Sequence, residues 1–182
     1  MSEVEGQRPN SGPVRLVAHD PAWSALTERE AARMRESLGA ILLEVYHIGS
    51  TAISGIVAKP VVDLIPVVRD LPSLDAARAK IEALGYSWWG EFGIAERRYC
   101  TLDDFGRRLV NAHFYAVGNP QIERHVAFRD YLRAHPEVAR EYEALKIRLA
   151  AEYGNDVLEY ADAKTPWIRS VESAAISFYR SR

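Results

Sequence analysis

A Gly-Ser-Thr turn followed by a lone aspartate is the stretch whose residue types could do chemistry. It reads HIGSTAISGIVAKPVVDLIPVV, from His47 to Val68. Glycine lets a backbone approach a ligand closely, and consecutive N–H groups beside hydroxyls hold phosphate oxygens. Gly49, Ser50 and Thr51 therefore predict a phosphate-binding turn, although a turn in which Ser50 merely caps a helix explains the same residues. The pattern G-x-x-x-x-G-K-[ST] is absent from the sequence, which excludes a P-loop.

Asp63 lies inside the otherwise apolar run VVDLIPVV, which predicts a strand. A lone carboxylate there costs several kcal/mol unless it is paired or holds a metal. Nucleotidyl transfer needs Mg²⁺ to neutralise the triphosphate, and carboxylates at a strand end usually hold that ion. The other interpretation is an aspartate that caps a turn or pairs with an arginine. The phosphate-type turn shortly upstream favours the functional interpretation.

Basic side chains near the turn complete the candidate site. Lys59 could reach a phosphate as a point charge, whereas exposure in a loop is the usual fate of a lysine. Arg97-Arg98 and Arg107-Arg108 begin two predicted strands, so one arginine of each pair faces each side of the sheet. We assign Arg98 to the side of the site. His113 is a ligand or proton shuttle in one interpretation and a hydrogen-bonded structural residue in the other.

The elements that must position these residues alternate between helix and strand. A helix over HDPAWSALTEREAARMRESLG precedes the strand ILLEVYHI, and a short strand is predicted before it at VRLVA. A helix over SLDAARAKIEALG follows the VVDLIPVV strand. The segments RRYCTL and RLVNAHFYAV then form a β-hairpin, and the remainder is helical. We therefore predict an α+β fold, a mixed β-sheet flanked by helices with a helical C-terminal part, in which the strands on either side of the turn are neighbours.

Composition limits the class of protein. The 182 residues fit one domain with terminal extensions, and the net charge of −2 gives no sign of nucleic acid or an anionic membrane as partner. The single Cys100 excludes an internal disulfide and a four-cysteine metal site. Apolar runs stay short of the ~20 residues that span a bilayer. Residues 1–12 read as a disordered polar tail, residues 13–182 as a single domain, and the chain as a cytoplasmic protein.

The segment HIGSTAISGIVAKPVVDL resembles the signature of the GrpB family, a branch of the nucleotidyltransferase superfamily. The resemblance continues through LGYSWWGEFGIAERRYC, IERHVAFRDYLRAHPEVAREYEALK and YADAK, and so extends from Val14 to about Ser170. It implies a nucleotidyltransferase fold. The Gly-Ser turn of the superfamily falls on Gly49 and Ser50, and its first metal carboxylate falls on Asp63.

The chain departs from the superfamily pattern on two strands. A second carboxylate usually follows the first by two residues, where this sequence has Ile65, and the NAHFYAV segment holds no third carboxylate. GrpB-like sequences tend to show His-x-His in that segment, where this chain has Asn111, Ala112 and His113. These departures leave a site with one metal bound by Asp63 and His113, or a site that binds a nucleotide without turning it over.

Two functions are consistent with these residues. The first is an enzyme that uses Mg²⁺ to transfer a nucleotidyl group from a nucleoside triphosphate to an unknown small acceptor. The second is a non-catalytic module that binds a nucleotide or another phosphorylated metabolite; an RNA-binding role is disfavoured by the negative net charge. The residues assigned to phosphate binding are Gly49, Ser50, Thr51, Lys59 and Arg98, and those assigned to catalysis and metal binding are Asp63 and His113.

Overall fold

The computed structural model describes residues 13–182 of the chain. The predicted disordered tail over residues 1–12 lies outside the described residues. None of the helices within residues 13–182 is long and apolar enough to cross a membrane.

A five-stranded mixed sheet forms the centre of the described part. Its strands are β1 Leu42–Ile48, β2 Val62–Val68, β3 Tyr86–Trp88, β4 Arg98–Asp104 and β5 Arg107–Ala116. They lie in the order β1-β2-β5-β4-β3, with β2 and β5 parallel and the other neighbours antiparallel. β4 and β5 form the predicted hairpin. The predicted α+β fold with a mixed sheet is therefore confirmed.

Six α-helices precede, interrupt and follow the strands along the described chain, and the last three make up its C-terminal part. They are α1 Ala22–Leu38, α2 Leu71–Ala76, α3 Arg78–Ala83, α4 Pro120–Ala134, α5 Pro136–Tyr153 and α6 Val157–Arg180. The side chains of Asn119 and Asp156 accept hydrogen bonds from the first-turn N–H groups of α4 and α6. These caps and the prolines at the first positions of α4 and α5 explain why the helices begin where they do.

The central strand β2 is buried on both faces, as its apolar sequence predicts. One face carries Leu64, which packs in the larger core with residues of α1 and α3. The other face carries Ile65 and Val67, which pack with Tyr115. Because side chains alternate along a strand, Asp63 shares the face of Ile65. The candidate site therefore lies on that face, near the beginning of β2.

The strands on either side of the Gly-Ser turn are antiparallel neighbours, as predicted. Ile48, at the end of β1, pairs with Asp63 near the beginning of β2. Asp63 is also in register with Asn111 on the parallel strand β5. This pairing brings the turn, the carboxylate and the middle of β5 to one end of the sheet.

Three elements differ from the sequence prediction. Around Val14, where a strand was expected, the described chain has an isolated bridge between Val17 and Ala58. The predicted helix after β2 is interrupted at Ala77, which separates α2 from α3. The edge strand β3 was not predicted, because three residues are too few to show an alternating pattern.

Candidate functional site

A cavity of about 470 Å³ opens beside the beginning of β2. Its walls come from the turn after β1 and the segment that leads to β2, from the segment before β4, from strands β2, β4 and β5, and from helices α5 and α6. The structure brings five of the predicted site residues together in its lining, namely Ser50, Thr51, Lys59, Asp63 and His113. Their roles remain predictions, but their shared position matches what the sequence indicated.

Gly49 lies directly against Asp63. Its φ is +72°, and a Cβ atom added to it would lie 2.8 Å from Asp63 Oδ2 and 3.4 Å from Asp63 Cβ. Both the backbone conformation and the close approach require a residue without a side chain. Gly49 is therefore a positioning residue for the carboxylate and does not itself line the cavity.

Ser50 and Thr51 open the short 3-10 turn that follows β1. The backbone hydrogen bonds of this turn use the N–H groups of Ala52 and Ile53. The hydroxyl of Thr51 lies 2.8 Å from His47 Nε2, and Thr51 is buried. The predicted phosphate contacts therefore fall on the Ser50 hydroxyl and on the N–H groups of Ser50 and Thr51, while the Thr51 hydroxyl holds the turn against β1.

Asp63 presents a carboxylate to the cavity, with 33% of its side chain exposed. Asn111 donates a hydrogen bond of 2.9 Å to Asp63 Oδ1, and His113 Nε2 lies 3.7 Å from the same oxygen. Burial raises the pKa of Asp63, but His113, Asn111 and Lys59 together lower it further, so that it lies below the usual value. Asp63 is therefore an ionised group that forms no arginine pair among the described residues.

The amide of Asn111 is oriented by two donors. Its Oδ1 accepts hydrogen bonds from the Tyr99 hydroxyl at 2.9 Å and from Arg108 Nη1 at 3.1 Å. The amide oxygen is therefore turned away from Asp63, and the amide nitrogen donates to that carboxylate. On β5, where the superfamily pattern predicts a third carboxylate, this chain has the neutral hydrogen-bond donor Asn111.

The tautomer of His113 is set by Arg97. Arg97 Nη1 lies 3.3 Å from His113 Nδ1. Because a guanidinium only donates, Nδ1 is the acceptor and the neutral ring carries its proton on Nε2. Nε2 is the nitrogen that faces Asp63, so His113 presents a donor to the cavity rather than the lone pair that a metal needs. The predicted metal-ligand role of His113 does not fit this geometry.

The predicted placement of Arg98 in the site is wrong, and Arg97 takes that position. Arg98 Nε and Nη2 each lie 2.7 Å from the carboxylate of Asp75, outside the cavity lining. Arg97 is 6% exposed and lines the cavity, with its guanidinium 4.9 Å from the ring centre of Tyr99. Tyr99 pairs with His113 across the β4–β5 ladder and faces the cavity with it, so the alternating Arg98 side chain points to the opposite face.

Two further lysines line the cavity beside Lys59, and the sequence interpretation missed both. Lys146, on α5, is 1% exposed and donates a hydrogen bond to the Val57 carbonyl. Lys164, on α6, has its ammonium 4.3 Å from the ring centre of Tyr160. The segments EYEALK and YADAK, through which the family resemblance runs, end at these two residues. This was the feature of the sequence that could have indicated them. We call Lys59, Lys146 and Lys164 the lysine cluster.

The lysine cluster carries positive charge in a partly desolvated place. Burial lowers the pKa of all three ammonium groups. Repulsion from a neighbouring lysine lowers the pKa of Lys146 and Lys164 further. The pKa falls to about 7 for Lys146 and to about 8 for Lys164. The ion pairs within residues 13–182 all join an arginine or a histidine to a carboxylate, so none of the three lysines forms an ion pair there, although the carboxylates of Asp63 and Glu143 lie near enough to act on them electrostatically.

The described residues do not fit a divalent metal held by the protein. No group of three or more His, Cys, Asp or Glu side chains within residues 13–182 is arranged to hold an ion. Asp63 Oδ1 accepts from Asn111, and Oδ2 is packed against Gly49. Ile65, at the position of the second carboxylate, is fully buried among apolar residues. Of the carboxylates in the lining, Asp63 and Asp162, neither belongs to a group of three such ligands, so waters and substrate phosphates would have to supply most of the oxygens that Mg²⁺ prefers.

Known proteins resemble this chain over most of its length. The family model described as GrpB protein matches residues 13–174. UPF0157 protein YqkA of Bacillus subtilis (strain 168) is 37% identical over 169 residues, which are 93% of this chain and 49% of that protein, so the chain spans about half the length of this relative. The crystal structure of the conserved protein GrpB from Enterococcus faecalis superposes with a TM-score of 0.85 at 34% identity, covering 91% of this chain and 99% of that one.

A more distant likeness concerns the fold alone. The Cid1 poly(U) polymerase superposes with a TM-score of 0.51 at 10% identity, over 76% of this chain and 43% of that chain. The nucleotidyltransferase-like fold implied by the family resemblance is thereby confirmed. Together with the match over residues 13–174, these findings show that the chain belongs to the GrpB protein family.

Proposed function

We propose that the cavity binds a nucleoside triphosphate through its phosphate chain. The observation that carries this proposal is the lysine cluster, whose three ammonium groups meet in one cavity and form no ion pair among the described residues. Burying such charges is costly unless an anion joins them. A phosphate chain carries several negative oxygens that lie a few ångströms apart. Each lysine ammonium group can bind such an oxygen as a point charge.

The Gly-Ser turn supports the same proposal from the other wall of the cavity. The Ser50 hydroxyl lines the cavity, and the N–H groups of Ser50 and Thr51 are not used by the turn's own hydrogen bonds. Consecutive N–H groups of this kind form a concave site for anions. Arg97 adds a buried guanidinium beside His113. Donors thus converge on the cavity from the turn, from Arg97 just before β4, from β5, and from α5 and α6.

Calorimetric titration tests the proposal. We expect ATP, GTP, CTP or UTP to bind the protein, and the corresponding nucleoside without phosphates to bind at least about tenfold more weakly, since charge-assisted hydrogen bonds contribute most of the affinity. Lys164→Met should weaken triphosphate binding by about tenfold or more for the same reason. Lys80→Met is the matched control, because Lys80 is exposed on α3 and lies outside the cavity lining. Equal affinities for nucleoside and triphosphate, or no binding of any of the four, would refute the proposal.

A second function, nucleotidyl transfer to a small acceptor, is favoured by the ionised Asp63 among these cations. In this step, an acceptor oxygen forms a bond to the α-phosphorus, the bond to the bridging oxygen breaks, and pyrophosphate leaves with that electron pair. The acceptor's hydroxyl proton passes to Asp63. His113, which faces Asp63 with Nε2, would donate to a phosphate oxygen or to that carboxylate.

Pyrophosphate release tests this second function. We expect release when a triphosphate is offered with a panel of small alcohols, and a loss of about 100-fold or more in Asp63→Asn, because that change removes the base but keeps the shape. Triphosphate binding should survive in the same variant. Undiminished release by Asp63→Asn would show that the carboxylate has no part in the reaction, and no release with any acceptor would leave binding as the function of the cavity.

A further inference from the structure

We propose that the lysine cluster takes the place of the divalent cation in this site, so that the ligand is a polyphosphate chain free of metal. This inference rests on the proposed function, in which the cavity receives a phosphate chain. It concerns how that chain is neutralised, and it replaces the expectation that Asp63 and His113 hold Mg²⁺.

The balance of charge in the cavity is that of a bound divalent ion. The four cationic side chains in the lining, the lysine cluster and Arg97, face two carboxylates, those of Asp63 and Asp162. When all four are protonated, the state that a bound phosphate chain favours, four positive charges against two negative ones leave an excess of two. Mg²⁺ contributes the same charge when it accompanies substrate phosphates.

Aromatic rings hold two of these ammonium groups in place without neutralising them. Lys146 Nζ lies 4.9 Å from the ring centre of Tyr142, and Lys164 Nζ lies 4.3 Å from that of Tyr160. A ring face attracts a cation through its quadrupole but carries no net charge. The ammonium charge therefore remains available to a ligand, whereas a carboxylate partner would have cancelled it.

The use of lysine at these positions is specific within the chain. The sequence contains 23 lysine and arginine residues, of which four are lysines: Lys59, Lys80, Lys146 and Lys164. Three of the four line this one cavity. The ion pairs of the described residues use arginine instead, in pairs such as Arg98 with Asp75 and Arg124 with Glu172. Compact, rotatable ammonium groups suit an ion-like role better than the planar guanidinium does.

The same geometry opposes a metal ion in this place. Oδ1 of Asp63 already accepts a hydrogen bond from Asn111, and Gly49 covers one side of Oδ2. The proton of His113 is on the nitrogen that faces Asp63, as its hydrogen bond with Arg97 requires. A divalent cation would also be repelled by the lysine cluster around it. The lysine cluster and Mg²⁺ are therefore alternative ways to neutralise the phosphate chain at this place.

Titration with inorganic triphosphate tests the inference, because this probe has no base and reports on the phosphate site alone. Wild-type protein should bind it in EDTA at least as tightly as in excess Mg²⁺. Lys59→Met and Lys164→Met should each weaken binding in EDTA by about tenfold or more, since each removes a charged donor. Lys164→Arg should restore part of the affinity, and Lys80→Met should bind as wild type does. Melting temperatures establish that each variant is folded.

The variant Asp63→Asn distinguishes most sharply between neutralisation of the phosphates by the lysine cluster and neutralisation by Mg²⁺ bound to Asp63. If the lysine cluster neutralises the phosphates, this variant should bind inorganic triphosphate in EDTA as tightly as wild type or more tightly, because a like charge has been removed. Binding that appears only with Mg²⁺ and disappears in Asp63→Asn would overturn the inference while leaving the proposed function standing. Failure of wild type to bind any nucleoside triphosphate or inorganic triphosphate, with or without Mg²⁺, would instead overturn the proposed function and this inference with it.

Discussion

Gly49→Ala is expected to weaken triphosphate binding by at least about tenfold and to lower the free energy of unfolding by about 2–3 kcal/mol. The backbone of Gly49, with φ at +72° and ψ at −172°, lies in a region essentially confined to glycine and costs a residue with a Cβ about 1–3 kcal/mol. The added methyl group would also lie 2.8 Å from Asp63 Oδ2, too close to be accommodated without displacement of the carboxylate or the turn. Displacement by an ångström moves Ser50 away from the phosphate, which accounts for the loss of binding.

Gly118→Ala separates the two contributions. Gly118 has a φ of +87°, but a Cβ atom there would meet nothing within 4 Å. This control should lose about 1 kcal/mol of stability from the backbone alone and should bind triphosphate normally. Urea unfolding and calorimetry on the two variants give the comparison. If Gly49→Ala costs no more than Gly118→Ala and binds as wild type does, Gly49 is not a positioning residue for Asp63.

Lys146→Met is expected to stabilise the ligand-free protein at pH 7 by about 1–3 kcal/mol while weakening triphosphate binding. Lys146 is 1% exposed, and burial together with Lys164 lowers its pKa from 10.5 to about 7. Between pH 7 and pH 9, the unfolded chain keeps this proton and the folded protein releases it. The stability of wild type should therefore rise with pH, by up to about 1.4 kcal/mol per unit from this group. Methionine has a similar volume and no charge, so it removes that dependence.

Urea unfolding at pH 7, 7.5 and 8 is the measurement for Lys146. Lys164, with a pKa of about 8, adds its own rise, which grows through this range, and above pH 9 the buried Cys100 thiol, whose pKa is raised by burial, acts in the opposite direction. The difference between wild type and Lys146→Met over this range therefore isolates Lys146. Lys80→Met should follow the wild-type curve. A wild-type stability that does not change over this range, or a methionine variant less stable than wild type at pH 7, would contradict the expected burial of a charge.

The turn and its carboxylate were predictable from the sequence because the contacts that join them are local. Gly49 follows β1 directly, and the antiparallel pairing of β1 with β2 brings Asp63 back to the same end of the sheet. The local sequence pattern indicated the site because it contains residue types that are unusual in those places: a glycine and hydroxyls after a strand, and a lone aspartate in an apolar run. The central position of β2 followed from its apolar faces in the same way.

The arginine and the two helical lysines depended on long-range geometry. Alternation shows that Arg97 and Arg98 face opposite sides, but it does not show which side is which. That is set by the register of β4 on β5, which shifts between Leu102 and Asp103. Lys164 lies in α6, which continues through Pro166 without ending there. No local pattern indicates which face of such a helix reaches a cavity.

A crystal structure with a non-hydrolysable triphosphate analogue, grown with Mg²⁺ present, tests the central claim most directly. The ion is then free to occupy the site if the protein uses it. We expect the phosphate oxygens to lie within hydrogen-bond distance of the Lys59 and Lys164 ammonium groups and of Ser50, with no ion between Asp63 and the phosphates. A metal ion that bridges Asp63 and the phosphate chain, or a triphosphate bound outside this cavity, would contradict the claim that the lysine cluster neutralises the ligand.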